Sequence, residues 1–139
     1  MSKVLLVDGD AELRDRVAPV LARRHRVIEA ASGEAASAAA LVHELDLIII
    51  DGALPDAGGA AWLEALREIG DPTPVIFVAG ARRDPALERR LVDDLDVALI
   101  VYKPLDPEVF GALTALAARE DGAGAARPRR LRLLRRRLR

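Results

Sequence analysis

Five short apolar runs separated by helical patterns constrain this chain more than any other feature. Val4–Val7, Leu47–Ile50, Val75–Ala79 and Val97–Tyr102 are continuous rather than alternating, and polar, Gly or Pro residues bound each one. A weaker run, Arg26–Ala30, precedes Ser32-Gly33. Short unbroken aliphatic runs describe strands covered on both faces. Between them the apolar spacing turns helical. Leu13, Val17, Val20 and Leu21 mark one face of a first helix, which Asp10 is placed to cap and Pro19 should kink. Ser32 is placed to cap a second, Ala-rich helix ending near Leu45, and a third spans about 60–69. Pro85 and Pro107 each follow an Asp, the order that suits a helix start, so a fourth helix is expected to about Leu95 and a fifth to about Arg119. Strand then helix, five times over with short connections, implies right-handed crossovers and a parallel sheet, an α/β fold.

Such a sheet binds ligands beyond the carboxyl ends of its strands. Asp8-Gly9-Asp10 follows the first strand, Asp51-Gly52-Ala53 the third, and Lys103-Pro104 the fifth. Each piece has an ordinary reading alone: Asp51 as the end of a buried strand, Lys103 as a solvated strand stop, Asp8 as a turn residue. Together they bring two carboxylates and an ammonium to one edge. Crowded carboxylates repel one another unless cations intervene. Lysine and magnesium are suitable neutralisers, and a carboxylate held beside them can attack phosphorus.

These residues resemble the receiver domain of bacterial two-component response regulators over about residues 3–118. Val4-Leu5-Leu6-Val7-Asp8 is similar to the family's first strand and acidic corner, and Asp46-Leu47-Ile48-Ile49-Ile50-Asp51 to the strand that ends in its phosphoacceptor. Leu54-Pro55 with Gly59 matches the loop that follows. Pro74-Val75-Ile76-Phe77-Val78 matches the fourth strand and Lys103-Pro104 the Lys-Pro pair. The resemblance implies a flavodoxin-like doubly wound (βα)5 sheet in the order 2-1-3-4-5. It implies that Asp51 accepts a phosphoryl group from a sensor histidine kinase or phosphotransfer protein. Magnesium would be held by Asp8, Asp51 and the backbone carbonyl of Ala53, and Lys103 would pair with a phosphoryl oxygen. It also implies a non-enzymatic, cytoplasmic module that dimerises through the face of its fourth helix, fifth strand and fifth helix.

Three positions depart from that pattern. Gly9 stands where a second acid is usual, so magnesium should bind weakly; Asp10 is better suited to capping the first helix. Ala79 replaces the hydroxyl residue that ends the fourth strand, and Ile100 replaces the aromatic three residues before the lysine. Tyr102 shares a face with Ile100 by strand alternation but at another depth. In the usual switch the hydroxyl follows the phosphate and the aromatic fills the vacated space. A hydrogen bond to a charged group is worth about 1.5–3 kcal/mol, whereas inverting a 1:99 equilibrium takes ~5.5 kcal/mol. An atypical receiver follows, with a phosphorylation-independent interaction module as its alternative. A second alternative is a haloacid-dehalogenase-like phosphatase, which Asp8-Gly9-Asp10 resembles. Against it, Ala11 follows where Gly-Thr is expected, and no later acidic pair supplies the metal site. A nucleotide-binding module would need a glycine-rich loop after the first strand, and none is there.

Charge divides the chain. The net −1 splits into +8 on residues 127–139, which hold eight arginines and no acid, and −9 on the rest. Residues 1–120 form the receiver-like domain. The glycines and alanines of 121–126 read as a flexible linker to the basic tail. Leu131, Leu134 and Leu138 follow at i, i+3 and i+7, a helical stripe suited to nucleic acid, anionic lipid or an acidic protein face; the plainer reading is the start of a connection to an output domain. The chain has no cysteine, and His25 and His43 are its only histidines, which excludes disulfides and thiolate metal sites. No apolar stretch approaches the ~20 residues of a membrane span.

Overall fold

The apolar runs form one parallel five-stranded sheet in the computed structural model, which describes residues 1–122. Its elements alternate as β1 (Ser2–Val7), α1 (Ala11–Leu21), β2 (His25–Ala30), α2 (Gly33–Val42), β3 (Leu47–Asp51), α3 (Gly59–Glu68), β4 (Val75–Ala79), α4 (Pro85–Arg89), a π-helical turn (Arg90–Asp94), β5 (Leu99–Tyr102) and α5 (Pro107–Gly122). The strand order is β2-β1-β3-β4-β5 and every neighbouring pair is parallel. This is the flavodoxin-like arrangement expected from the sequence.

Strand alternation divides the core in two. Leu5, Val7, Ile48, Ile50, Val75 and Phe77 pack with Ala36, Leu63, Leu66 and Leu91, on the face that carries α2, α3 and α4. Val4, Leu6, Leu47, Ile49, Ile76 and Val78 pack with Leu13, Val17, Leu21 and Phe110, under α1 and α5. Val4–Val7 of β1, Leu47–Ile50 of β3 and all of β4 are apolar because both faces are covered.

The caps behave as the sequence indicates. Asp10 accepts from the N–H groups of Glu12 and Leu13, Ser32 from Ala35, and Asp84 from Leu87. Pro19 lies inside α1, two residues before its end, where its missing N–H removes the bond to the carbonyl four residues earlier. Several boundaries differ. α2 stops at Val42 rather than Leu45, and β5 starts at Leu99 rather than Val97. Asp96 ahead of β5 adopts a left-handed backbone, φ 51°, and Ala98 N–H bonds Val75 O before the strand begins. The fourth helix is α-helical only to Arg89 before it widens into the π turn. α5 continues through Asp121 and Gly122, where composition alone suggests linker. The Arg/Leu stripe and the rest of the tail lie outside the described residues. Among the described residues no helix is long and apolar enough to cross a membrane.

Leu63 is fully buried between α3 and the sheet. Leu63→Ala is expected to lower stability by about 2–5 kcal/mol, read as a lower urea midpoint with little change in slope.

Candidate functional site

β1, β3 and β5 deliver three charged side chains to the carboxyl edge of the sheet. Asp51 is the last residue of β3, while Asp8 and Lys103 directly follow β1 and β5. Both carboxylates are buried, Asp8 at 2% and Asp51 at 5% exposure. Lys103 Nζ lies 3.2 Å from Asp51 Oδ1 and 3.8 Å from Asp8 Oδ2, so one ammonium faces both acids. The chain holds Lys103 in place by its N–H bond to Ala79 O, 3.0 Å, and the Lys103–Pro104 peptide is cis.

Asp8 is tied down on two sides. Its N–H bonds Ala30 O, and its Oδ1 accepts from the N–H of Asp10 at 2.8 Å. Burial pushes its pKa above the ordinary 3.8; the Asp10 N–H opposes this, the charge of Asp51 adds to it, and Lys103 again opposes it. Arg14, on α1, donates to the Asp8 backbone carbonyl and pairs with Glu29 at 3.3 Å. Asp10 is occupied as the α1 cap, so it does not supply the carboxylate missing at Gly9. A side chain at Gly9 would meet Pro55 Cδ at 3.2 Å, a contact relieved by a small shift of the ring.

The loop after Asp51 folds back tightly. Gly52 N–H bonds Val78 O and Gly59 N–H bonds Gly52 O. A Cβ at Gly59 would lie 2.3 Å from the Asp51 carbonyl oxygen, and Gly58 has φ 79°, so this return requires glycine at both positions. Asp56 in the loop takes the N–H groups of Gly33 (3.0 Å) and Glu34 (2.9 Å) and caps α2 from outside. Those bonds hold its pKa below the ordinary value. Ala53 lies in the same loop and borders a cavity of about 190 Å³.

That cavity contains two of the three substituted positions. Ala79 and Ile100 both line it, together with Phe77, Leu91 and Tyr102. Ala79 is paired with Tyr102 in register, and Phe77 with Ile100. Ile100 and Tyr102 thus share a face, as alternation requires, while Val101 packs on the other. Glu88 on α4 is buried and bound bidentately by Arg83, at 3.0 and 2.9 Å. The Tyr102 hydroxyl is buried without a hydrogen bond of normal geometry; burial and the neighbouring Glu88 raise its pKa. The Arg83–Glu88 pair and the Asp56 cap carry no signal in the sequence, since each joins a loop residue to a helix start whose position depends on the fold.

Residues 4–114 match the model of the response regulator receiver domain. The chain is 34% identical over 128 residues to the transcriptional regulatory protein KdpE of Mycobacterium tuberculosis, which covers 90% of this chain and 54% of that protein. It therefore spans about half the length of the curated relatives it matches. The chemotaxis response regulator CheY4 of Vibrio cholerae superposes with a TM-score of 0.72 at 28% identity, over 84% of this chain and 96% of that one. The signal receiver domain of a putative LuxO repressor from Vibrio parahaemolyticus reaches 0.80 at 21% identity, over 88% and 93% of the two chains. The sheet, its charged edge and the family match define an α/β signalling module. The chain belongs to the response regulator receiver domain family of two-component systems.

The raised pKa of Asp8 has a definite sign. Its ionised form burdens the fold, so its contribution to stability rises as pH falls through its folded pKa toward 3.8. Asp56 does the opposite: its contribution is present above 3.8 and lost as pH falls through its lower folded value. A carboxyl-detected NMR titration should place Asp8 above and Asp56 below 3.8, with Asp8 moving down in Asp51→Asn and up in Lys103→Met.

Proposed function

We propose that this receiver accepts a phosphoryl group on Asp51 and that its switch departs from the usual one. The observation that carries the reading is the ammonium of Lys103 at 3.2 Å from the buried Asp51 carboxylate, at the sheet edge where the family places its phosphoacceptor. The donor would be the phosphohistidine of a sensor kinase or phosphotransfer protein. An Asp51 oxygen forms the new bond to phosphorus, the phosphorus–nitrogen bond breaks, and the imidazole leaves and takes up a proton. Lys103 neutralises charge on the transferred group, and burial excludes water from the attacking oxygen. Phosphoryl transfer depends mainly on such positioning and charge neutralisation.

Magnesium fits the donor set in reduced form. Asp8, Asp51 and the Ala53 carbonyl would hold it, with waters and phosphoryl oxygens completing the shell. Among the described residues no cluster of three or more acidic, His or Cys side chains gathers to hold a metal. When bound, the ion would supply further neutralisation of the transferred oxygens.

Downstream of Asp51 the usual couple is missing. Ala79 offers no hydroxyl to a phosphoryl oxygen, and Ile100 no aromatic ring to move. The Arg83–Glu88 pair stands instead at the start of α4, with the buried Tyr102 hydroxyl of β5 beside Glu88. That observation favours a second reading, an interaction module whose α4–β5 surface is held in one arrangement whether or not Asp51 is phosphorylated.

Adding magnesium and beryllofluoride, with backbone NMR as the readout, tests both readings. Shifts centred on Asp51 and lost in Asp51→Ala support phosphoacceptance; a flat response at millimolar magnesium leaves the interaction module. Gly9→Asp should strengthen the magnesium dependence by about tenfold or more, since losing even an outer-shell partner costs about 10–100-fold.

A further inference from the structure

Among the described residues, the most exposed large apolar side chains after Met1 lie at the carboxyl ends of two helices. Leu41 (87% exposed), Val42 (76%) and Ile69 (80%) lie at the ends of α2 and α3. Leu41 and Ile69 border a groove of about 280 Å³ between the two helices, with Trp62, Ala65 and Leu66 beside them. Trp62 Nε1 donates to Ser37 Oγ at 2.9 Å and ties the helices together. Contiguous exposed apolar surface of this kind marks a place where something docks.

The electrostatics of the groove narrow the choice. α2 contains no Lys or Arg. The one basic residue of α3, Arg67, is turned to the carbonyls of Leu95, Asp71 and Thr73. Glu34 and Glu68 stand exposed on the two helices, and Asp71 borders the groove itself. The matching partner is an apolar stripe set among cations.

This chain carries one. Residues 127–139 hold eight arginines and no acid, with Leu131, Leu134 and Leu138 at helical spacing. We propose that this segment docks its leucines into the α2–α3 groove of its own chain, with its arginines facing Glu34, Glu68 and Asp71. α5 packs on the opposite face of the sheet, so the segment must pass around the sheet to reach the groove. The eight residues 123–130 span up to about 28 Å when extended. A tether of that length gives an effective concentration in the millimolar range, which favours the same chain over a second copy. In this arrangement the arginines are held by the domain and withheld from other acidic partners.

Trp62, the only tryptophan, reports on the groove directly. In the full chain its emission should lie to the blue of that in Leu131→Glu/Leu134→Glu/Leu138→Glu. The difference should be constant from about 1 to 100 µM, well below the effective concentration, and should shrink as salt rises from about 50 to 500 mM. Leu41→Glu/Ile69→Glu, exposed positions whose fold circular dichroism would verify, should abolish the effect of the tail substitutions when the two sets are combined, as coupling requires. Identical emission in the full chain and the tail variant would overturn the proposal. So would additive effects of the two sets. A blue shift that grows with concentration, alongside a dimer in sedimentation, would place the segment on a second copy and equally overturn it.

Discussion

Two carboxylates buried against a single ammonium are the constraint on which the rest of this molecule depends. The sheet that positions them is apolar on every central residue, so Asp8 and Asp51 leave water for an edge with few polar partners. At about 4 Å an opposite unit charge is worth about 4 kcal/mol at an effective dielectric of 20, before desolvation is counted. Lys103 supplies that attraction to both acids but stands closer to Asp51. Asp8, farther from the lysine and beside Asp51, has its pKa raised by burial first. The pocket is thus left with more negative than positive charge. An edge of that kind stabilises an added cation and tolerates a transferred phosphoryl group only when cations face it.

The surroundings of the site hold it in place. The Gly58-Gly59 return, the Asp56 cap on α2 and the Lys103 N–H to Ala79 bond fix the loops that carry Asp51 and Lys103. Two of the three departures from the family pattern, Ala79 and Ile100, line one cavity beside β5. Ala79 and Ile100 leave a cavity of about 190 Å³ where a hydroxyl and a ring normally communicate. Beside it, the buried Glu88 is satisfied by Arg83 and borders the Tyr102 hydroxyl. The Arg83 side chain is 62% exposed, so the pair joins the loop before α4 to its first turns at the surface of the domain.

The sheet was legible because each central strand is an unbroken apolar run, and the helix starts because Asp10, Ser32 and Asp84 are efficient caps. Element ends were less so. The left-handed Asp96 and the π turn at Arg90–Asp94 arise from how the chain leaves α4 to meet β5, which depends on the packing of Leu91, Leu95 and Val97 rather than on local pattern. The convergence of Asp8, Asp51 and Lys103 followed from topology, since parallel strands share one carboxyl edge. The Arg83–Glu88 pair, the Asp56 cap and the Arg14 contact to the Asp8 carbonyl were not legible, because each joins residues whose proximity is set by loop geometry. Gly9, Ala79 and Ile100 were visible as departures only against the family pattern. The structure adds what surrounds them.

The central claim is that Asp51 is a nucleophile toward phosphorus. The direct measurement is intact-protein mass spectrometry after incubation with magnesium and a small phosphodonor such as acetyl phosphate or phosphoramidate. The account predicts the addition of a single phosphoryl group, removed by hydroxylamine as an acyl phosphate would be, absent in Asp51→Asn and strongly slowed in Lys103→Met. An unmodified mass at millimolar donor in both the native protein and Gly9→Asp, with the fold intact, would contradict it.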